Sequence, residues 1–210
     1  MGVIGANISK IKLFGNLSKI GVNGNIGKIK SIGSVGKISN IGWVFEKITT
    51  DFKVGTEYGG GIIAYLGNEG DFVNGMIVAP VDASTTNHKW GCWGTLIGTL
   101  PDMGTGSINT DAIVGGCSEE GIAAKICNDL SLNGYTDWFL PSRDELTEIR
   151  LNKSEIDANI IESSFYNTSS EASGHLGNAY EHAWGIRFDD GFTGVGSKNN
   201  NRRVRAVRGF

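Results

Sequence analysis

The chain has 210 residues, 40% of them apolar, with 32 glycines, three prolines and a formal net charge of −3. That length and apolar content hold one sizeable domain plus a smaller element and exclude disorder throughout. The glycine share is about twice the usual one, which argues against a helical bundle and for a turn-rich α+β architecture.

Charge is spread unevenly. Residues 1–47 carry seven lysines against Glu46 alone, so a basic leading segment precedes an acidic remainder. No aromatic interleaving or arginine cluster accompanies those lysines, and nucleic-acid binding is therefore not expected. No apolar run reaches the length of a membrane span, so membrane insertion is not expected either. Met1 is followed by glycines and isoleucines without the pattern of an export signal, so a role outside the cell would need another route, of which release inside an assembled virus particle is one.

Residues 7–42 divide into four nonapeptides, NISKIKLFG, NLSKIGVNG, NIGKIKSIG and SVGKISNIG. Each has an apolar second residue (Ile8, Leu17, Ile26, Val35), lysine at the fourth (Lys10, Lys19, Lys28, Lys37), isoleucine at the fifth (Ile11, Ile20, Ile29, Ile38) and glycine at the last. Glycine every nine residues excludes a helix and suits short β-strands with isoleucine inward and lysine in water. The turns lack the aspartates a calcium-binding nonapeptide repeat requires, and four units are too few to bury a core alone. The segment 1–47 is expected to be a β-rich stalk that assembles several chains, most simply three. Trp43, Phe45 and Phe52 mark its junction with a second domain, residues 48–210.

In that second domain EYGGGIIAYL (57–66) and GMIVAPVDAS (75–84) read as strands. SEEGIAAKICNDL predicts a helix with Ile122, Ile126 and Leu130 on one face and Ser118 as N-cap. PSRDELTEIRL (141–151) predicts another, with Ser142 and Glu145 at capping-box spacing and Leu146 and Ile149 buried. Trp90, Trp93, Trp138 and Trp184 read as core, because large aromatics dominate burial in a glycine-rich domain. Cys92, Cys117 and Cys127 cannot all pair within one chain; the fold is expected not to depend on disulfides, with room for one Cys117–Cys127 bridge.

The strings WGCWG (90–94), INTDAIV (108–114), GIAAKICNDL (121–130), NGYTDWFLPSRDEL (133–146), SSE (169–171), AW (183–184), F-x-x-G (188–191) and VRAVRGF (204–210) occur in order. Together they resemble the C-terminal domain of the Legionella collagen-like adhesin and its bacterial and phage relatives. The resemblance implies a C-type-lectin-like fold, trimerisation on a fibrous stem, exposure on a cell surface or virion, and binding of polysaccharide or other receptors. It also implies that Trp138 and Trp184 lie inside. The end of the chain, GIRFDDGFTGVGSKNNNRRVRAVRGF, is similar to the variable proteins of diversity-generating retroelements, in which fixed positions alternate with a scattered mixture.

On that resemblance the ligand-binding residues are expected to be those set among the fixed positions: Asn167, His175, Asn178, Tyr180, His182, Gly185, Arg187, Asp189, Asp190, Phe192, Thr193, Val195, Ser197 and Asn199. Tyrosine, arginine, phenylalanine and histidine in one exposed patch favour recognition. Arg202, Arg203, Arg205 and Arg208 form the chain's one arginine cluster; it suits either an acidic glycan or structural pairing with carboxylates such as Asp137 and Glu145.

Catalytic signatures are missing: there is no phosphate-binding loop, no G-x-S-x-G and no H-E-x-x-H, so no catalytic residues are expected. No cofactor or metal is expected; His88 with the three cysteines makes a poor zinc set, and Asp189, Asp190 and Asn199 are too few for calcium. The leading expectation is a receptor-binding tip protein of a phage tail fibre. It would be a homotrimer that touches a host cell-surface receptor, polysaccharide or protein, at one end and tail or baseplate proteins through its stalk. A bacterial surface adhesin is the alternative, and a polysaccharide-processing enzyme on the same fold the third reading.

Overall fold

The computed structural model describes residues 52–67, 75–156, 158–172 and 178–210. The nonapeptides, the 47/48 boundary, Trp43, Phe45 and His175 lie outside these residues. No helix among them is long and apolar enough to cross a membrane.

The architecture is α+β. Strands β1 (Glu57–Tyr58), β2 (Gly61–Leu66) and β3 (Gly75–Val78) are followed by helices α1 (Gly106–Gly116), α2 (Ala123–Asn128), α3 (Arg143–Leu151) and α4 (Lys153–Ile156). Strands β4 (Phe165–Glu171), β5 (His182–Arg187), β6 (Thr193–Ser197) and β7 (Val207–Gly209) complete the chain. One antiparallel sheet has the order β1-β2-β3-β7, the other β4-β5-β6. Because β7 pairs with β3, the last residues close the sheet that the first residues open. Phe52 and Phe210 meet there with ring centroids 5.3 Å apart, and Tyr58 packs edge-on against Phe52. Entry to and exit from the domain thus lie side by side.

The predicted strand 75–84 is regular only to Val78. Beyond it Ala79 and Ala83 donate to the carbonyls of Ala206 and Val204, an irregular ladder that Pro80, which has no N–H, interrupts. Val204, Arg205, Ala206 and Val207 are all fully buried, so this run is covered on both faces, which explains why its alternation is not amphipathic.

The two helices read from the sequence are present. Ser142 receives the Glu145 backbone N–H and Glu145 reaches back to the Ser142 N–H, forming the capping box. Leu146 and Ile149 are buried with Tyr166, Ile186 and Phe188. In α2 itself the buried residues are Ala123, Ala124 and Cys127 rather than the expected stripe of Ile122, Ile126 and Leu130. The helix starts later than expected, with Ile122 rather than Ser118 at the N-cap and Leu130 beyond its end. Ile122 sits in extended backbone because the Ala123 N–H is taken by the Lys89 carbonyl, a tertiary contact outweighing a local cap.

Trp90 and Trp138 are core, grouped with Ile113, Cys127 and Leu140. Trp93, expected inside, is 52% exposed on a loop, and Trp184 is half-buried with the Arg143 guanidinium 5.3 Å over its ring. The cysteine expectation is corrected as well: Cys92 pairs with Cys117, while Cys127 is a free thiol in the core. Cys127 faces the core from α2, whereas the loop after Trp90 turns back to bring Cys92 to the end of α1.

Candidate ligand-binding face

The pairing Phe165↔Arg187, Asn167↔Gly185 and Gly185↔Gly194 sorts the β4-β5-β6 sheet into two faces. Phe165, Asn167, Gly185, Arg187, Gly194 and Gly196 share one of them. Tyr166, His182, Trp184, Ile186, Thr193, Val195 and Ser197 share the other.

On the first face Phe165 is the hub. The guanidinium of Arg187 and that of Arg202 each lie 5.4 Å from its ring centroid, and Phe192 meets it edge-on at 6.0 Å. Such cation–π contacts contribute about 0.5–1 kcal/mol at exposed sites and more when desolvated. Arg202 reaches Phe165 by crossing the glycine floor of the sheet: a Cβ at Gly185 or Gly196 would collide with its guanidinium. Beside it opens a groove of about 510 Å³, lined by Asn87, Phe165, Phe192, Gly194, Val195, Asn200, Asn201 and Arg202 among others.

The β5–β6 turn sets the end of this face. Phe188 is fully buried and anchors it, while Phe192 is 56% exposed. Arg187 donates through Nε to Asp190 at 3.0 Å and also pairs with Asp189. The Arg187 guanidinium holds the Asp190 carboxyl well below the usual carboxylate range. Both aspartates are therefore committed to a cation, which makes them poor ligands for calcium.

The four arginines near the C-terminus divide by function. Arg208 grips Asp137 with two bonds, at 2.8 and 2.7 Å, as the structural reading expected. Arg203 and Arg205 share Asp82, and Arg205 adds the Ala79 carbonyl at 2.9 Å. Glu145 pairs with no arginine; its carboxylate accepts the N–H groups of Ser142, Gly104 and Gly106, and burial pushes its pKa up. Arg202 has no carboxylate among the described residues.

The expected ligand-binding set does not form one patch. Asn167 and Gly185 are buried: the Asn167 amide donates to the His88 carbonyl, and Gly185 lies beneath Arg202. Both lie on the same face as Phe165 and Arg187, and they are covered because the Arg202–Arg203 segment, paired with His88, is laid across that face. Apart from His175, which lies outside the described residues, the others are exposed or half-exposed; Val195 lines the groove midway along β6, and the rest gather at two ends of a six-residue strand, roughly 17 Å apart. Arg187, Asp189, Asp190, Phe192 and Thr193 stand at the groove end. Asn178, Tyr180, His182, Ser197 and Asn199 stand at the other, where the Gly94 N–H donates to the Tyr180 carbonyl. Phe165, Asn87, Asn200 and Asn201 join the groove without having been singled out; only the pairing of β4 with β5 brings Phe165 there.

The cysteines and His88 do not assemble a zinc site. His88 is bonded to the Gly121 carbonyl and to Ser84, and Cys127 lies in the core. Among the described residues the one group at metal-ligand spacing is Cys92, Cys117 and Glu119, whose two sulfurs are already joined to each other.

The geometry is that of an α+β domain with an open, aromatic-lined groove at one end of a small sheet. The chain belongs to the Lcl C-terminal domain family, whose model matches residues 86–208, and has the adhesin-like character of that family. The match covers α1 to α4, β4 to β6 and most of β7, and leaves β1 to β3 outside it. No curated protein matches the chain.

Proposed function

We propose that this protein is the receptor-binding tip of a phage tail fibre and that the groove end of the β4-β5-β6 sheet contacts a polysaccharide on the host cell. The observation that carries the reading is the exposed Phe192 beside Phe165 and Arg187 at a groove edged by asparagines. Exposed aromatics and arginine next to amide groups are the chemistry of recognition hot spots. A groove of amides, rings, glycines and one arginine suits binding rather than turnover, so the protein acts without catalysis and without a cofactor.

The nonapeptide stalk gathers three chains and docks them to tail or baseplate proteins, which places three copies of the groove on one tip and raises avidity. The location is then the virion, and the alternation near the C-terminus is the imprint of a diversity-generating retroelement. A bacterial surface adhesin of the same family is the second reading; the family match supports both.

Adsorption of the full chain to host cells tests the function. Phe192→Ala should weaken adsorption at least tenfold with unchanged melting. Unimpaired adsorption of this variant, together with loss on changing Asp102 at a distant loop, would remove the groove from the reading. Light scattering on the full chain tests the trimer, which a monomer would refute.

A further inference from the structure

We propose that Arg202 is the receptor for a carboxylate, so that the sugar bound in the groove is an acidic one of the uronic or sialic type. This rests on the polysaccharide-binding reading above and adds to it the chemical class of the ligand.

Arg202 is only 9% exposed, and among the described residues no carboxylate, carbonyl or hydroxyl accepts a hydrogen bond from its guanidinium. Its three neighbours in the cluster, Arg203, Arg205 and Arg208, each have a carboxylate. An arginine carries five N–H donors and cannot shed its charge, so burial without a partner is costly unless a partner arrives from outside. Burial alone, with no compensating anion, pulls its pKa downward.

The guanidinium is also held in place. Gly185 and Gly196 provide a flat floor that any side chain would obstruct, and the Phe165 ring packs against it at 5.4 Å. It lines the groove, and among the described residues it is the one charged side chain of that lining; the nearby Arg187 is already paired with Asp189 and Asp190. One fixed planar fork matches one planar carboxylate through two parallel bonds.

The surroundings favour a sugar. Asn87, Asn200 and Asn201 are exposed on the rim, each offering two donors and an acceptor to ring hydroxyls. Phe165 and Phe192 line the groove with aromatic surface against which the apolar C–H face of a pyranose ring can pack.

The test uses the full chain and three oligosaccharides, bearing galacturonate, glucuronate or sialate, each against its carboxyl-reduced counterpart, by calorimetry. At least one acidic form should bind tenfold or more tighter than its reduced form. Arg202→Met should abolish that difference while melting stays level or rises, since a buried unpaired charge is removed. Arg202→Lys, which keeps the charge but not the fork, should retain only part of it. Equal binding of acidic and reduced forms, or preserved discrimination in Arg202→Met, would overturn the inference. So would an aspartate-bearing peptide or a sulfated reduced sugar competing as well as the acidic one. Reduced forms that bind, with loss in Phe192→Ala but not in Arg202→Met, leave the polysaccharide reading standing and remove the carboxylate. Binding of none of the sugars while host cells are still adsorbed through Phe192 rejects the inference alone.

Discussion

The Lys198 ammonium donates to Glu171 Oε1 at 2.6 Å, with the lysine side chain fully buried and the glutamate nearly so. Glu171 also accepts the backbone N–H groups of Ile97, Gly98 and Thr99, while Lys198 donates to the Thr95 carbonyl and sits 4.3 Å over the Trp90 ring. One ion pair therefore fastens a loop of five residues to the sheet that carries the groove. Lys198→Met leaves a buried carboxylate without its cation and should cost roughly 3–5 kcal/mol in urea unfolding. The double variant Lys198→Met/Glu171→Gln should cost less than the two single changes added together, because they share one interaction.

The Cys92–Cys117 bridge spans a sequence separation of 25 and should contribute about 3 kcal/mol by restricting the unfolded chain. Reduction, or Cys117→Ser, should lower the melting temperature accordingly. Cys127 is buried, and burial pushes its thiol pKa up. Iodoacetamide should label no cysteine in the native oxidised protein and one after unfolding; two labels in the native protein would contradict the pairing.

Acid should act through Asp137. Its hydrogen bonds from Arg208 hold the folded pKa below the ordinary 3.8, so the stabilisation is fully present above that value and is lost as pH falls through the folded one. Asp137→Asn should cost about 1 kcal/mol at neutral pH, and its stability curve should converge with that of the unchanged protein well below about pH 4. Urea midpoints measured across the acid range decide this; a constant gap down to the lowest pH would contradict it.

Binding and melting should separate at the exposed residues. Phe192→Ala and Tyr180→Ala remove side chains that are 56% and 50% exposed, so each should alter stability by no more than about 0.5 kcal/mol. Only Phe192 adjoins the groove, and it alone should reduce ligand affinity, by about 2 kcal/mol. Trp184→Ala should cost about 2 kcal/mol, less than a fully buried tryptophan, because the ring is half-buried beneath Arg143. Scanning calorimetry and adsorption on the same samples supply both numbers.

Local chemistry was legible in the chain. The capping box at Ser142 and Glu145, the stripe of Leu146 and Ile149, the mixed α+β class and the family strings all depend on residues within a few positions of one another, where spacing fixes geometry. Structural pairing of the arginine cluster with Asp137 or Glu145 was one of two readings the sequence left open; that Arg208 takes Asp137 while Glu145 takes backbone N–H groups was decided by the fold. The division of the expected binding residues was not legible. Asn167 and Gly185 share the face of Phe165 and Arg187 yet are buried, because the Arg202–Arg203 segment and His88 are laid across them, a contact between distant parts of the chain. Cys92 rather than Cys127 became the partner of Cys117 because a loop returns after Trp90, which no cysteine spacing encodes. Arg202 was one of four similar arginines in the sequence. Its lack of a carboxylate, and its place on the glycine floor beside Phe165, follow from which acidic residues the fold brings within reach, since a charge is satisfied or left open by distance in space rather than along the chain.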